Sequence, residues 1–219
     1  MNAGDDRDAL ARKYDAIAER YSVGRYAAPD AVARYFVRLV RGWGGPARAG
    51  ATVLEIGCAD GFTTEALARS GFRVHAVDLS PRMIAVARER LRDAGLRAEV
   101  SVADLNAFEP PGRFDVVLGC MESFFRYAHD PAAVLEQLSG ICDQKLIVDA
   151  NPREVDVGHA LEDVLAAGFR HAEARPIAVP QRVRLGAAGG RALEIALRLP
   201  LVGSAVLRRK LNVALLGVR

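Results

Sequence analysis

The chain has 219 residues, 51% of them apolar and 26% charged, with a formal net charge of +3. That is enough chain for one α/β domain with a full core, and the balance is that of a soluble globular protein. No window of 18 apolar residues provides a membrane span, and three scattered cysteines (Cys58, Cys120, Cys142) fit neither a disulfide framework nor metal-ligand spacing.

Read in chain order, the N-terminus M-N-A-G-D-D-R-D carries acids and no apolar core, so no secretory signal is expected there. Leu10, Tyr14, Ile17 and Tyr21 recur at helical spacing and predict one apolar-aromatic helix face. Asp30 is the expected N-cap of a second helix carrying Val32, Tyr35, Phe36, Leu39 and Val40, which the run G-W-G-G-P at 42–46 ends. Strand 52–56, helix 63–70, strand 73–78 and a helix from Ser80-Pro81 to about Arg92 follow. Then come strands 98–103 and 114–119, a helix opened by Asp130-Pro131, strand 145–149, a helix ending at Gly168, strand 169–179 and a last strand 211–219. Strands alternating with helices predict βαβ units: a Rossmann-like three-layer sandwich, α/β, with a mostly parallel seven-stranded sheet and helices on both faces.

The most informative stretch is Val53–Phe62, V-L-E-I-G-C-A-D-G-F, followed 17 residues past Gly61 by Asp78 at the end of a second apolar strand. A strand that stops in a glycine turn lets a ligand approach the backbone. The helix that follows points free N–H groups toward that ligand, and an acid at the tip of the neighbouring strand can accept hydrogen bonds from both hydroxyls of a ribose. A dinucleotide fingerprint would need glycines at 59 and 62, where this chain has Ala59 and Phe62. That counts against an NAD-type oxidoreductase.

The pattern E-x-G-x-x-x-G with a following Asp resembles the class I S-adenosylmethionine-dependent methyltransferases, over roughly Ala51–Asp149 and more loosely at the ends. The resemblance implies S-adenosyl-L-methionine as cofactor and an antiparallel last strand. Glu55, Gly57 and Gly61 match the first motif, with Cys58 and Ala59 inside it; the family often has glycine where Ala59 stands. Asp78 matches the ribose acid, and Asp104, in V-A-D-L, the position that contacts the adenine amino group, with Leu79, Met83 and Leu105 as candidate neighbours of the purine. Gly119 and Cys120 end the fourth strand beside the cofactor. Tyr14 and Tyr21, in Y-D-A-I-A-E-R-Y, are similar to a tyrosine-bearing lid helix of small-molecule methyltransferases, so residues 1–50 are expected to form a helical lid on a methyltransferase domain at 51–219.

After the fourth strand, C-M-E-S-F-F-R-Y-A-H-D-P is expected to line the junction of cofactor and acceptor. Methyl transfer mainly requires the nucleophile to be held aligned at about 3–3.5 Å, and a general base helps when that nucleophile is a hydroxyl. His129 is the first candidate base and Glu122 the second. The resemblance thus implies a methyltransferase acting on an oxygen, or a nitrogen, of a small or medium-sized acceptor, while Cys58 and Cys120, expected as reduced fillers at strand ends, point to a reducing cytoplasm. A non-catalytic cofactor-binding regulator is the remaining alternative.

No metal site is expected: H-E-x-x-H is absent, and His171-Ala172-Glu173 has no accompanying P-C-x-x-C. A G-x-S-x-G elbow is also absent. From Arg175 onward the chain carries nine Arg or Lys against one acid, Glu194. The segment at about 180–210 reads as a basic amphipathic insertion suited to an anionic membrane surface or an anionic substrate. Nucleic acid is not expected, since N-P-R-E differs from the N-P-P-Y type of nucleic-acid methyltransferases and no binding module is recognisable.

Overall fold

In the computed structural model, described here for residues 3–119, 124–177 and 212–219, the expected alternation builds a single seven-stranded sheet. Its strands are β1 (Thr52–Ile56), β2 (Arg73–Asp78), β3 (Glu99–Val102), β4 (Phe114–Gly119), β5 (Cys142–Ala150), β6 (His171–Pro176) and β7 (Val213–Val218). The spatial order is β3-β2-β1-β4-β5-β7-β6. Neighbours from β3 to β5 pair in parallel, and β7 runs antiparallel to both β5 and β6. The order reverses between β1 and β4, so a crevice opens beyond their carboxyl ends, where ligands bind in open α/β sheets.

The helices are α1 (Ala3–Asp15), α2 (Tyr21–Arg25), α3 (Pro29–Gly42), α4 (Phe62–Arg69), α5 (Pro81–Asp93), α6 (Phe124–Tyr127), α7 (Pro131–Ile141) and α8 (Val157–Ala166). Alternate strand residues feed two cores, as the pleat requires. Val53, Val116, Ile147 and Leu216 pack with α3, α4 and α5 on one face. Leu54, Val117, Leu146 and Leu215 pack with α7 and α8 on the other. All eight side chains are fully buried, and each Val, Leu or Ile so placed contributes about 1.5–3 kcal/mol.

Caps explain where the helices begin. Ser80 Oγ accepts the Met83 N–H at 3.0 Å, with Pro81 in the first turn of α5. Asp130 accepts the Ala133 N–H at 3.1 Å at the start of α7. Asp156 takes the Gly158 and His159 N–H groups at 2.8 and 3.1 Å and opens α8. After α3 the chain turns through Gly44 at φ +70°, where a Cβ would lie 2.8 Å from a Leu216 methyl. Only glycine combines that conformation with that closeness.

Three expectations are corrected. The stripe Leu10–Tyr21 is not one helix: α1 stops at Asp15, a 3₁₀ turn covers Ala18–Arg20, and Ile17 is 44% exposed. The break lets Ala18 pack on Ala59 and Met83 while Asp15 turns to the start of α5, its carboxylate accepting from Ser80 Oγ at 2.5 Å and the Arg82 N–H at 3.0 Å. Asp30 does not cap α3; Ala28 occupies the cap, Pro29 the first turn, and Asp30 favours the helix as an acid near its N-terminus. Finally, β5 starts at Cys142 and β6 spans only His171–Pro176. The basic segment at about 180–210 lies outside the described residues.

Candidate functional site

The glycine turn is built by three backbone conformations. Gly57 (φ +72°), Ala59 (φ +49°) and Gly61 (φ +77°) are all left-handed, which turns the chain sharply from β1 into α4. The Gly57 and Cys58 N–H groups both donate to Val77 O, at 2.8 and 3.0 Å, and fasten the turn to β2. Asp78, one residue on, closes it from the side: Oδ2 accepts the Ala59 N–H at 2.8 Å and Oδ1 the Ser80 N–H at 2.9 Å.

Beyond this edge lies a cavity of about 300 Å³. Gly57, Ala59 and Asp78 form its floor, and Leu79, Asp104 and Leu105 one wall. Tyr14 and Tyr21 cover it from the N-terminal helices, their rings edge-to-face with centroids 6.1 Å apart. Tyr127 and His129 also line it. Register explains why two acids from separate strands share one wall. Asp78 pairs with Val102 in the β2–β3 ladder, so the chain just past Val102 places Asp104 beside it.

Burial pushes the Asp78 carboxyl above the usual carboxylate range, and the N–H groups of Ser80 and Ala59 partly offset this. Burial likewise raises the phenols of Tyr14 and Tyr21, so both stay neutral donors. The Cys58 thiol is raised too, first by burial and then by Asp78 and Glu55.

Nine of the residues singled out in the sequence thus share one cavity: Tyr14, Tyr21, Gly57, Ala59, Asp78, Leu79, Asp104, Leu105 and His129. Five others do not line it. Glu55 is fully buried and accepts from Thr64 Oγ1 at 2.6 Å, linking β1 to α4. Cys58 belongs to the core on the α4 side, and Met83 is buried against Ala18 and Ala59. Gly61 serves helix packing: a Cβ there would lie 2.8 Å from the Ala87 Cβ of α5. At Gly119 a Cβ would meet Val148 at 3.1 Å. Cys120 and Glu122 lie outside the described residues.

Sequence reasoning missed the polar ties around the cavity. The buried Asp60 holds α2 through Ser22 Oγ (2.5 Å) and α5 through Arg90 (3.1 Å). Arg7 meets Asp104 Oδ2 at 3.4 Å. Asn106, two residues after Asp104, is the hub of a further set described below; a D-L-N turn just past a strand was the only signal for it.

The family model for a methyltransferase domain matches residues 53–145. The match covers the glycine turn, both acids and His129, and leaves out the helical cover. A ubiquinone biosynthesis O-methyltransferase of Xanthomonas euvesicatoria is 40% identical over 96 residues, 42% of this chain and 39% of that protein. The chain therefore spans well under half the length of this curated relative. Among solved structures, a chain of the complex between the Haloferax volcanii Trm112 methyltransferase activator and the putative methyltransferase superposes with a TM-score of 0.64 at 22% identity, over 94% of this chain and 96% of that one. A TehB-like SAM-dependent methyltransferase from Corynebacterium glutamicum gives a TM-score of 0.59 at 17% identity, over 99% and 100%. At these identities the superpositions establish the Rossmann-like fold alone.

The residues around the cavity fit a nucleoside. Each carboxylate oxygen offers two acceptor lone pairs. Asp78 accepts the Ala59 and Ser80 N–H groups, one on each oxygen, and still lines the cavity with acceptor capacity for a hydroxyl. Asp104 Oδ1 is taken up by the Asn106 backbone and side-chain N–H groups at 3.0 and 3.1 Å, and Oδ2 keeps capacity beyond its long contact with Arg7. Among the described residues no group of three or more His, Cys, Asp or Glu is placed to hold a metal ion. No helix among them is long and apolar enough to cross a membrane.

Proposed function

We propose that this chain is an S-adenosylmethionine-dependent methyltransferase that methylates an oxygen of a small or medium-sized acceptor. The observation that carries the reading is the meeting of Asp78 and Asp104 with the left-handed Gly57–Ala59 turn on one cavity beneath two neutral tyrosines. Asp78 would hold the ribose hydroxyls, Asp104 Oδ2 the purine amino group, and Leu79 and Leu105 the purine faces. Gly57 would admit the amino-acid end close to the backbone. Bound there, the cofactor supplies a methyl group on a positively charged sulfur, open to in-line displacement.

The chain's part is to bind, align and exclude water. Tyr14 and Tyr21 close the cavity from above, and water exclusion strengthens every polar contact beneath them. The acceptor enters beside α6, where an imidazole nitrogen of His129 takes the proton from its hydroxyl; such a base contributes about 10²–10⁴-fold. Oxygen is favoured as nucleophile by the named activity of the 40%-identical relative. A dinucleotide is disfavoured because Phe62, against the Tyr26 ring at 5.4 Å, stands where its fingerprint needs glycine.

Calorimetry with S-adenosylhomocysteine and NAD tests the site, and label transfer from S-adenosylmethionine to a panel of hydroxyl and amine acceptors tests the activity. S-adenosylhomocysteine binding without NAD binding is expected, and NAD binding alone would overturn the reading. Cofactor binding with no transfer to any acceptor would favour a non-catalytic regulator.

A further inference from the structure

Asn106 belongs to none of the motifs, yet its side chain links Asp104 to the segment that carries His129. Its backbone N–H and Nδ2 donate to Asp104 Oδ1 at 3.0 and 3.1 Å. The same Nδ2 donates to Tyr127 O at 2.9 Å, and Oδ1 accepts the His129 N–H at 2.7 Å. One amide therefore ties the acid on the nucleoside wall to both ends of the turn that carries His129. Tyr127 passes the tie on to the cover, since its hydroxyl lies 2.6 Å from that of Tyr14. Arg7, on the same helix as Tyr14, returns to Asp104 Oδ2 at 3.4 Å and closes the circuit.

We infer that Asn106 is a positioning residue that seats the segment 124–129 against the nucleoside wall and, through the Tyr127–Tyr14 hydroxyl pair, couples that segment to closure of the α1 cover. The chemistry is specific to an amide. Two of its side-chain contacts need a donor and one needs an acceptor facing the other way: aspartate at 106 would set a carboxylate against Asp104 Oδ1 and Tyr127 O, and leucine would leave the His129 N–H without its partner. Because α6 is only four residues long, it has little internal hydrogen bonding to hold its position and depends on such ties. With the circuit intact, a ligand on the nucleoside wall meets a cover already in place. Without it, part of the binding free energy goes to ordering the segment.

The inference rests on the nucleoside-site reading above, so the test separates the two. Calorimetry with S-adenosylhomocysteine is run on wild type, Asn106→Ala, Tyr14→Phe and the double variant, with thermal melts to verify that all four fold. Each single change removes hydrogen bonds worth about 1 kcal/mol apiece, so each is expected to weaken binding roughly fivefold or more. Because both act through one circuit, Tyr14→Phe is expected to cost less than about twofold in the Asn106→Ala background, the non-additivity of residues in one network. In unliganded protein, amide exchange of 124–129 is expected to accelerate at least tenfold in Asn106→Ala while β1 and β4 keep their protection. Asn106→Gln, which retains an amide, is expected to restore part of that protection. Strictly additive effects on affinity with unchanged exchange at 124–129 would overturn the inference. Absence of S-adenosylhomocysteine binding by wild type would refute the nucleoside reading instead, and the exchange comparison would still decide whether Asn106 seats the segment.

Discussion

Asp78 Oδ2 accepts the N–H of Ala59 at 2.8 Å, and Ala59 is the one residue other than glycine with positive φ among the described residues. The hydrogen bond holds a strained backbone conformation in place: a carboxylate that lines the cavity also fixes the turn beside it. Substitutions on the two sides of this bond therefore affect different properties.

On the carboxylate side, the proposed ribose contacts make Asp78→Ala a loss of two charge-assisted hydrogen bonds, each worth roughly 1.5–3 kcal/mol. S-adenosylhomocysteine affinity is expected to fall at least a hundredfold by calorimetry. Burial holds the native carboxyl above its usual range, so as pH falls it protonates before an exposed carboxylate would, and an acceptor becomes a donor. Affinity should then fall as pH falls, and the unliganded fold should gain stability over the same window, because the unfolded chain releases this proton first. Asp78→Asn should flatten both profiles.

On the backbone side, Ala59→Gly removes the left-handed penalty of about 1–2 kcal/mol and adds chain entropy to the unfolded state of about 0.4–1 kcal/mol. Net stabilisation of up to about 1.5 kcal/mol is expected in urea melts, with cofactor affinity unchanged.

Gly61→Ala should do the opposite. Its φ of +77° disfavours a side chain, and the new Cβ would lie 2.8 Å from Ala87 Cβ and 3.0 Å from Ala87 Cα. Left-handed strain and overpacking of about 1–3 kcal/mol together predict a loss of roughly 2–5 kcal/mol. Retention of wild-type stability would mean that α5 can retreat at no cost.

His129→Ala should lower turnover about 10²–10⁴-fold if the imidazole takes the acceptor proton. S-adenosylhomocysteine affinity should change little, since the tie to Asn106 uses the His129 backbone N–H. Unchanged turnover on a true acceptor would leave catalysis to alignment alone.

Far from the cavity, Lys145 is 1% exposed at the start of β5, where its Nζ donates to Trp43 O at 2.8 Å and Gly45 O at 2.7 Å. Burial pushes its pKa down to about 8. The unfolded chain keeps this proton to about 10.4, so between these values the unfolded state binds more protons and stability rises with pH. Urea melts at pH 7.5 and 9.5 should show that gain in wild type and its absence in Lys145→Met.

The sequence alone determined the sheet, because period-two apolar runs separated by capped, amphipathic helices leave few ways to bury both sheet faces. It also determined the glycine turn and the acids Asp78 and Asp104, since these lie within a few residues of strand ends and the parallel order brings strand ends together. It could not assign Glu55, Cys58, Gly61, Met83 and Gly119 to packing rather than to the cavity. A motif fixes position along the chain, whereas which side of a turn faces a neighbouring helix is decided by that helix. Only the tertiary structure brought Tyr14 to Tyr127, 113 residues away, and placed Asn106 between Asp104 and His129. Contacts of that kind depend on how separate elements dock, and a local residue pattern carries no trace of the partner it will meet.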